Sequence, residues 1–446
     1  MNRLYPIPLL MSLGGFSTLA AQTASTLSSV IETYCADCHD GQMKSPSGKL
    51  LDRFDPTQIA QHPDVWARAY RQMQAGAMPP MGADRPNRTV YAAALASIEH
   101  SLVGSATTKP QAGASSQQIA TRLASLLWHS EPDVALLKDA QHNRLTDLPV
   151  LESQVRRMLA DDRAQAFTEN FFFSWLQLNG LSKADPDKKY FPDYDPSLRD
   201  ALARETQLFL LSQLRADRDP IELWSAKYTF LNEQLAKHYG VANVAGPQFR
   251  RVDLSAPERA GLLGQGSILM ITSRHQHGAD AGYTTPAARA NWIRFHFLGV
   301  PPPNPFPGAM PVKPELPITP QTRTLAVTPC VTCHQNFFPL GYALENFDPI
   351  GRWRKQDQIG PVDASGAFVD GTRFNGVVEL RQILLRYPDA FRTTITEKLL
   401  AYSASGTVNP FQSSPEDLIR ARRILSGMPK PGWSAIIAAV VRSSAE

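Results

Sequence analysis

Residues 35–39 read Cys-Ala-Asp-Cys-His, and residues 330–334 read Cys-Val-Thr-Cys-His. The chain has 446 residues and four cysteines, all of which lie in these two pentapeptides. The CxxCH spacing is typical of covalent haem attachment, in which both thiols add to haem vinyl groups and the histidine becomes an axial iron ligand. A zinc site would need further ligands near each cysteine pair, and the sequence offers none. The motifs predict two covalently bound haem c groups, attached at Cys35, Cys38, Cys330 and Cys333.

The first residues have the composition of an export signal. The pair Asn2-Arg3 precedes a short apolar stretch that ends at Phe16, and small residues follow up to Ala21. This order predicts a signal peptide over residues 1–21, and the apolar run is too short to span a bilayer. Because bacteria attach haem to CxxCH outside the cytoplasm, the two predictions support each other. We expect a periplasmic protein with no transmembrane segment in the mature chain.

Composition and charge narrow the range of partners. A hydrophobic fraction of 43% with 19% charged residues is ordinary for a globular chain. The net charge is +4, and no long run of lysine and arginine occurs, so we expect no nucleic-acid partner. The expected partner is a redox protein, either a dehydrogenase or another cytochrome.

Changes in composition divide the chain into regions. Residues 22–104 form a predicted N-terminal cytochrome c domain, and a small, polar linker covers residues 105–117. Residues 118–299 carry helical apolar patterns, and a proline-rich connector over residues 300–319 cannot form helix. Residues 320–446 form a predicted C-terminal cytochrome c-like domain. The predicted fold is mainly α, with two cytochrome c-like haem domains flanking a helical middle domain.

Apolar residues at helical spacing predict individual helices in these regions. The sequence Ser-Ser-Pro-Glu at residues 413–416 marks a helix start, and Gly240 marks a helix end. The predicted helices cover residues 62–75, 89–102, 166–178, 196–213, 221–239, 379–385, 390–402 and 414–425.

The first haem has identifiable candidates for both axial ligands. His39 is the predicted proximal ligand, and the loop Gly-Ala-Met-Pro-Pro-Met-Gly follows at residues 76–82. The two prolines after Met78 stiffen its backbone. By analogy with cytochromes c that have His/Met ligation, we expect Met78 rather than Met81 to be the distal ligand. This ligation leaves no open iron position and predicts an electron-transfer centre.

The second haem has His334 as its predicted proximal ligand, and its distal ligand stays open. No methionine lies between His334 and Met428. An iron without a protein ligand there would bind peroxide, oxygen or a substrate. In that case the candidate acids or bases are His275 and His277. The available distal donors are Met428, Met310, His275, His277 and His296.

Two arginines closely follow the second motif. Arg352 and Arg354 have the planar guanidinium that binds carboxylates with two parallel hydrogen bonds. We therefore predict that they contact the haem propionates. The alternative is that they belong to a structural turn after Asp348-Pro349.

Several stretches resemble the planctomycete-type multi-domain c-type cytochrome family, whose domains are mostly of unknown function. The strongest match reads Pro-Leu-Gly-Tyr-Ala-Leu-Glu-Asn-Phe-Asp-Pro-Ile-Gly-Arg-Trp-Arg over residues 339–354. Further matches lie at residues 228–240, 259–263 and 298–303. The resemblance implies a multi-domain c-type cytochrome of the bacterial periplasm, and it supplies no substrate. The chain departs from the family pattern at 274–286 and 399–406.

These observations favour a periplasmic di-haem c-type cytochrome that carries out electron transfer. One alternative is a haem-dependent oxidoreductase, a di-haem peroxidase or oxidase in which the first haem supplies electrons to an open second haem. Another is a redox docking module for a partner dehydrogenase. The large middle domain favours a role beyond simple electron carriage, and the sequence does not decide whether the protein is an enzyme.

Overall fold

The computed structural model describes residues 27–39, 51–105, 114–273, 284, 286–300, 338–357, 360–412 and 414–443. This part of the chain is mainly helical and holds two short two-stranded sheets, which confirms the predicted mainly α class. Its residues form two compact units. The N-terminal unit is the chain through Tyr70 together with Ala83–Thr107, and the large unit is Arg71–Gly82 together with the chain from Thr108 onward.

The N-terminal unit has a small helical core. Its helices cover residues 27–34, Ala36–His39, Pro63–Gln74 up to Tyr70, and Arg88–Ser105, with 3-10 turns at Leu51–Arg53 and Ile59–Gln61. Trp66 and Ile98 are buried here, and the Tyr70 hydroxyl donates to Glu99 Oε2 at 2.8 Å. The predicted helices over 62–75 and 89–102 are confirmed.

The large unit begins with helices that have well-defined N-terminal caps. The Gln118 N–H donates to Ser115 Oγ at 3.2 Å, and the Ser115 N–H donates to Gln118 Oε1 at 2.9 Å, so the first helix starts with a capping box. The α-helices of this part are Ser116–Trp128, Val134–Gln141, Leu148–Ala160, Gln165–Phe167, Phe173–Trp175 and Pro196–Arg215. A π-helix at Thr168–Phe172 and a 3-10 helix at Leu178–Lys183 interrupt the predicted helix over 166–178.

The predicted helix over residues 221–239 is wrong. The chain forms a 3-10 helix at Pro220–Trp224, a strand at Tyr228–Leu231 and a short helix at Glu233–Tyr239. Half-buried and buried side chains alternate along the strand, and its aromatic and β-branched residues favour strand structure. The strand pairs antiparallel with Arg250–Asp253. Asn232 then caps the next helix by accepting the Leu235 N–H.

The rest of the large unit is also helical. Its helices are Gly266–Ile271, Pro286–Ile293, residues 338–342, Gly376–Leu384, Pro388–Ser405, Pro415–Leu425 and Trp433–Ser443, with a π-helix at Arg294–Leu298. The second sheet pairs Ser365–Ala367 with Arg373–Asn375. Ser414 Oγ accepts the Asp417 N–H at 2.9 Å, which confirms the predicted start of that helix.

The core of the large unit joins the predicted middle and C-terminal regions. The Pro388–Ser405 helix is buried over most of its length. It packs on the helices Pro415–Leu425 and Trp433–Ser443 and on the π-helix Arg294–Leu298. Aromatic rings surround Trp175, including Phe391 at 6.2 Å between centroids. Within the described ranges, no helix has the length and apolar character needed to cross a membrane.

Some predicted regions lie outside the described residues. They are the signal peptide over 1–21 and, apart from Val300, the proline-rich connector over 300–319. The predicted domain boundaries stay predictions, although the described residues of 118–299 and 320–446 share one unit.

Candidate functional site

The first CxxCH motif lies on helical backbone in the N-terminal unit. The helix over 27–34 continues through a turn at Cys35 into Ala36–His39, and the Cys38 N–H donates to the Cys35 carbonyl at 3.2 Å. Cys35 is half-buried, and Cys38 is exposed. Because residues three positions apart share one side of a helix, the two cysteines lie together, and His39 follows in the next position.

Burial affects the protonation of the first cysteine in this motif. Burial raises the pKa of the Cys35 thiol to about 11, and the neighbouring Cys38 adds to the shift. Cys35 is therefore a neutral thiol at neutral pH in the chain alone. The use of this motif in covalent haem attachment stays a prediction.

The loop that carries Met78 has its contacts in the large unit. The segment Arg71–Gly82 belongs to that unit. The buried Arg71 forms an ion pair with the buried Glu397. At Gly76 the backbone has φ of +68°, and a side chain would press against the Tyr387 ring. A buried ion pair and a close approach of the backbone therefore fix this loop on the large unit.

Met78 is half-buried in this loop, and His39 belongs to the N-terminal unit. Their predicted pairing at one iron stays a prediction. No signal in the sequence indicates that this loop packs in the large unit. The decisive contact joins Arg71 to Glu397, which are 326 positions apart, and neither residue lies in a recognisable motif.

The second CxxCH motif lies outside the described residues, and its predicted roles stay predictions. The residues concerned are Cys330, Cys333 and His334 in the motif, together with the candidates His275, His277 and Met310, which also lie outside the described residues. Residues 338–357, which follow the motif, are described, and we call them the second flank.

Arg352 and Arg354 both have protein partners in the second flank. Arg354 Nε donates to the Glu345 carbonyl at 2.8 Å, and its NH2 group lies 3.3 Å from Glu345 Oε2. Arg352 Nε donates to His238 Nδ1 at 3.3 Å, and its NH2 group pairs with Asp193. These contacts show how the arginines hold the flank. Their predicted pairing with haem propionates stays a prediction.

A fully buried arginine anchors the second flank to the large unit. Arg289 on the Pro286–Ile293 helix donates to the Leu344 carbonyl, to Glu345 Oε1 at 3.1 Å and to the Asp348 carbonyl at 3.3 Å. Burial lowers the pKa of Arg289 to about 10, and Glu345 opposes this shift, so the guanidinium stays charged at neutral pH. The sequence analysis missed this residue, because a lone arginine in an apolar helix has no motif around it.

A second buried arginine supports the turn of the flank. Arg259 donates to the Gly351 carbonyl at 2.6 Å and to the Gly264 carbonyl at 3.3 Å. Its guanidinium carbon lies 4.9 Å from the Phe347 ring centroid, within cation–π distance. The charged side chain of Arg259, which is distant in sequence, thus stabilises the turn after Asp348.

A buried carboxylate lies beside Arg259. Glu205 accepts hydrogen bonds from Thr229 Oγ1 and from the Tyr239 hydroxyl, both at 2.6 Å, and the tyrosine oxygen accepts the Gly266 N–H at 2.9 Å. Burial raises the pKa of Glu205 to about 7, against the effect of these hydrogen bonds. Glu205 can therefore exchange a proton near neutral pH.

Met428 follows the Pro415–Leu425 helix, and its N–H donates to the Leu425 carbonyl at 2.9 Å. Its side chain is half-buried. The structure describes no contact between Met428 and the second flank, so its predicted ligation of the second haem stays a prediction.

A cavity of about 670 Å³ opens in the large unit. Its walls come from the Leu178–Lys183 3-10 helix, the end of Gly266–Ile271, and the Pro286–Ile293 helix. Its lining includes apolar groups and the side-chain amides of Gln177, Asn179 and Asn291. The described lining residues are Gln177, Asn179, Gly180, Lys183, Ala184, Ile271, Thr272, Ala288, Asn291, Trp292 and Phe295.

His296 lies behind the wall of this cavity. It is fully buried on the Arg294–Leu298 π-helix, its Nε2 lies 3.4 Å from Gln177 Oε1, and its ring contacts those of Trp175 and Trp292. Within the described part of the chain, its Nδ1 has no hydrogen-bond partner. Burial lowers its pKa to about 3, so the imidazole is neutral. Its role as a distal donor stays a prediction.

Three family models match the chain in succession. Each is described as a protein of unknown function: DUF1592 matches residues 115–241, DUF1588 matches residues 259–357, and DUF1585 matches residues 370–445. No curated protein and no solved structure matches the chain. The Glu205–Tyr239 pair lies in the first match, and Arg259, Arg289 and the second flank lie in the second. The chain thus carries three planctomycete-type domains of unknown function, consistent with the multi-domain family that its sequence resembles.

Proposed function

We propose that the protein is a periplasmic di-haem c-type cytochrome that transfers electrons between partner redox proteins. The observation that carries this proposal is the use of all four cysteines in two CxxCH motifs. The placement of Cys35 and Cys38 on one side of a helix, directly before His39, supports covalent attachment at the first motif. Haem, when bound, supplies an iron that accepts and releases one electron.

The residues of the first site have separate roles in this proposal. Cys35 and Cys38 would hold the porphyrin covalently, and His39 would bind the iron. Met78 is the proposed distal ligand, since thioether ligation raises the reduction potential and closes the iron to exogenous ligands.

The residues of the second site divide between attachment and support. Cys330 and Cys333 would hold the second porphyrin, and His334 would bind its iron. The buried Arg289 holds the second flank in place, so the chain that follows the motif has a defined position. Covalent attachment plus a fixed flank would set the position of this haem within the large unit.

The proposal is tested by counting haem groups on the intact holoprotein. Mass spectrometry of the protein produced with the haem-attachment machinery should show two haem groups per chain and a new N-terminus near Ala21. The double variants Cys35→Ser/Cys38→Ser and Cys330→Ser/Cys333→Ser should each retain one haem. A wild-type chain that is exported and carries no haem would overturn the proposal.

Carbon monoxide distinguishes an electron carrier from an enzyme with an open haem. No spectral change on adding carbon monoxide to the reduced holoprotein is expected for two irons with firmly bound protein ligands. Binding that persists in the Cys35→Ser/Cys38→Ser variant would assign an open iron to the second haem. Peroxide and oxygen turnover would then be the activities to measure.

A further inference from the structure

The cavity in the large unit has room for a small molecule. Its volume of about 670 Å³ lies within the range of about 300–1,000 Å³ found for ligand sites. Ile271 and Ala288, both half-buried, supply apolar surface, and the polar lining consists of three side-chain amides, Thr272 and Lys183. No acidic residue is among the described lining residues. The hydrogen bonds that these polar groups already make therefore decide which ligand the cavity suits.

A buried cation fixes the orientation of the Asn291 amide. Arg294 is 2% exposed, and its NH1 group donates to Asn291 Oδ1 at 3.1 Å. A guanidinium has donors only, so the amide oxygen must face Arg294, and the NH2 group of Asn291 lies on the other side of the amide. Within the described part of the chain, this NH2 group donates to no acceptor. Asn291 therefore offers a hydrogen-bond donor to a ligand in the cavity.

A buried histidine holds the Gln177 amide in a similar way. His296 is fully buried and neutral, and its Nε2 lies 3.4 Å from Gln177 Oε1. A neutral imidazole has one N–H, and placing it on Nε2 gives the glutamine oxygen its donor. The NH2 group of Gln177 donates to no acceptor among the residues that the structure describes. Gln177 thus offers a second donor.

The other polar lining groups differ in what they offer. Lys183 is exposed and forms no ion pair with any described residue, so it adds a positive charge. Thr272 donates its hydroxyl proton to the Ile268 carbonyl at 2.7 Å, and Asn179 Nδ2 donates to Ser174 Oγ at 3.2 Å. These two groups therefore offer oxygen acceptors, which suit a hydroxyl or N–H group of a ligand.

We propose that this cavity binds a small organic carboxylate, whose oxygen atoms accept hydrogen bonds from Asn291, Gln177 and Lys183. A carboxylate has two oxygens that only accept, and its negative charge strengthens each hydrogen bond. Its apolar part would lie against Ile271 and Ala288. The three donor residues have no role in the proposed electron transfer, so this inference can fail while the proposed function stands.

A pair of probes of equal shape tests the preference for a carboxylate. Calorimetric titration of the holoprotein with 2-naphthoate should show saturable binding at one site. The neutral 2-naphthamide should bind about tenfold more weakly, because it brings no charge to the donors. No saturable binding of 2-naphthoate at millimolar concentrations, or equal affinity for the two probes, would overturn the proposal.

Asn291→Asp tests the orientation of the amide and keeps an oxygen for Arg294. The substitution replaces the NH2 group by a second, negatively charged oxygen, so 2-naphthoate should bind at least about tenfold more weakly. Asn170→Asp adds the same charge at an exposed position outside the described lining and should leave binding unchanged. Equal affinity of the two variants for 2-naphthoate would overturn the proposal.

A smaller effect is expected at the exposed lysine. Lys183→Gln should weaken 2-naphthoate binding about two- to fivefold, the usual range for an exposed ion pair, and should leave 2-naphthamide binding unchanged. Lys188→Gln, at an exposed lysine outside the described lining, should bind both probes as the wild type does. Equal losses for the charged and the neutral probe in Lys183→Gln would overturn the role of the lysine charge.

Discussion

The regions beside the two CxxCH motifs are supported in different ways. The first motif lies in a small unit, where a few apolar side chains such as Trp66 and Ile98 form the core. The flank of the second motif is built into the large unit by buried arginines, Arg259 and Arg289, that donate to its carbonyl groups. The backbone of one motif thus belongs to a unit with a small core of its own, whereas the position of the other flank depends on the folding of the large unit.

Removing the anchor of the second flank should have the largest effect. Arg289→Met leaves the Leu344 and Asp348 carbonyls without their buried donor and should lower the free energy of unfolding by about 3–5 kcal/mol. Arg215→Met breaks an exposed pair with Asp162 and should cost less than about 1 kcal/mol. Denaturant unfolding measures both. A loss in Arg289→Met no larger than in Arg215→Met would contradict the anchoring role.

The pH dependence of stability should differ between the two units because of Glu205. Its pKa rises from 4.5 to about 7 on folding, so the native state holds the proton more tightly. The corresponding stability is complete below pH 4.5 and is lost as pH rises through 7, a change of about 3 kcal/mol. Glu205→Gln should remove this slope from the unfolding free energy of the large unit.

The control for this pH effect is an aspartate that titrates in another range. The pKa of Asp161 falls from 3.8 to about 2, mainly through its hydrogen bond with Arg163, so its contribution is lost only as pH falls through 2. Asp161→Asn should therefore leave the slope between pH 5 and 7 intact. Identical slopes in wild type and Glu205→Gln would show that Glu205 does not titrate as described.

The close approach at Gly341 gives a smaller test of how the second flank is seated. Gly341→Ala places a methyl group against the Pro286 carbonyl and should cost about 1–3 kcal/mol, the usual range for overpacking. Gly427→Ala has no neighbour within 4 Å and serves as the control. Hydrogen exchange should localise the loss of protection to the flank and to the Pro286–Ile293 helix. Equal protection in the two variants would contradict this close packing.

The smallest expected effect belongs to the N-terminal unit. Tyr70→Phe removes the hydrogen bond to Glu99 and should cost about 1 kcal/mol, the typical net value for one bond. Exchange should increase in the Arg88–Ser105 helix, while the second flank keeps its protection. Faster exchange in the second flank would mean that the two motifs depend on the same local structure, against the comparison above.

Much of the helical structure was predictable, because it rests on short-range signals. The Ser414 cap and the apolar spacing of Pro415–Leu425 are both visible in the sequence. The strand at Tyr228–Leu231 was missed, since its aromatic residues also fit a helical stripe and its partner, Arg250–Asp253, has no strong strand pattern of its own.

The candidate sites were predictable only where a motif marks them. CxxCH is such a motif. The roles of Arg289 and Glu205, and the formation of the cavity, depend instead on contacts between residues that are distant in sequence. Arg289 and Leu344 lie 55 positions apart, and Arg71 and Glu397 lie 326 positions apart. Nothing in the local sequence separates these buried charged residues from the many exposed ones.

The most direct test of the central claim is a reductive titration of the holoprotein, followed by the absorbance of its haem bands. Two reversible one-electron steps are expected in the wild type, with one step lost in Cys35→Ser/Cys38→Ser and the other lost in Cys330→Ser/Cys333→Ser. A protein that shows no reversible reduction, or that keeps both steps in either variant, would contradict an electron-transfer function based on two covalently attached haems.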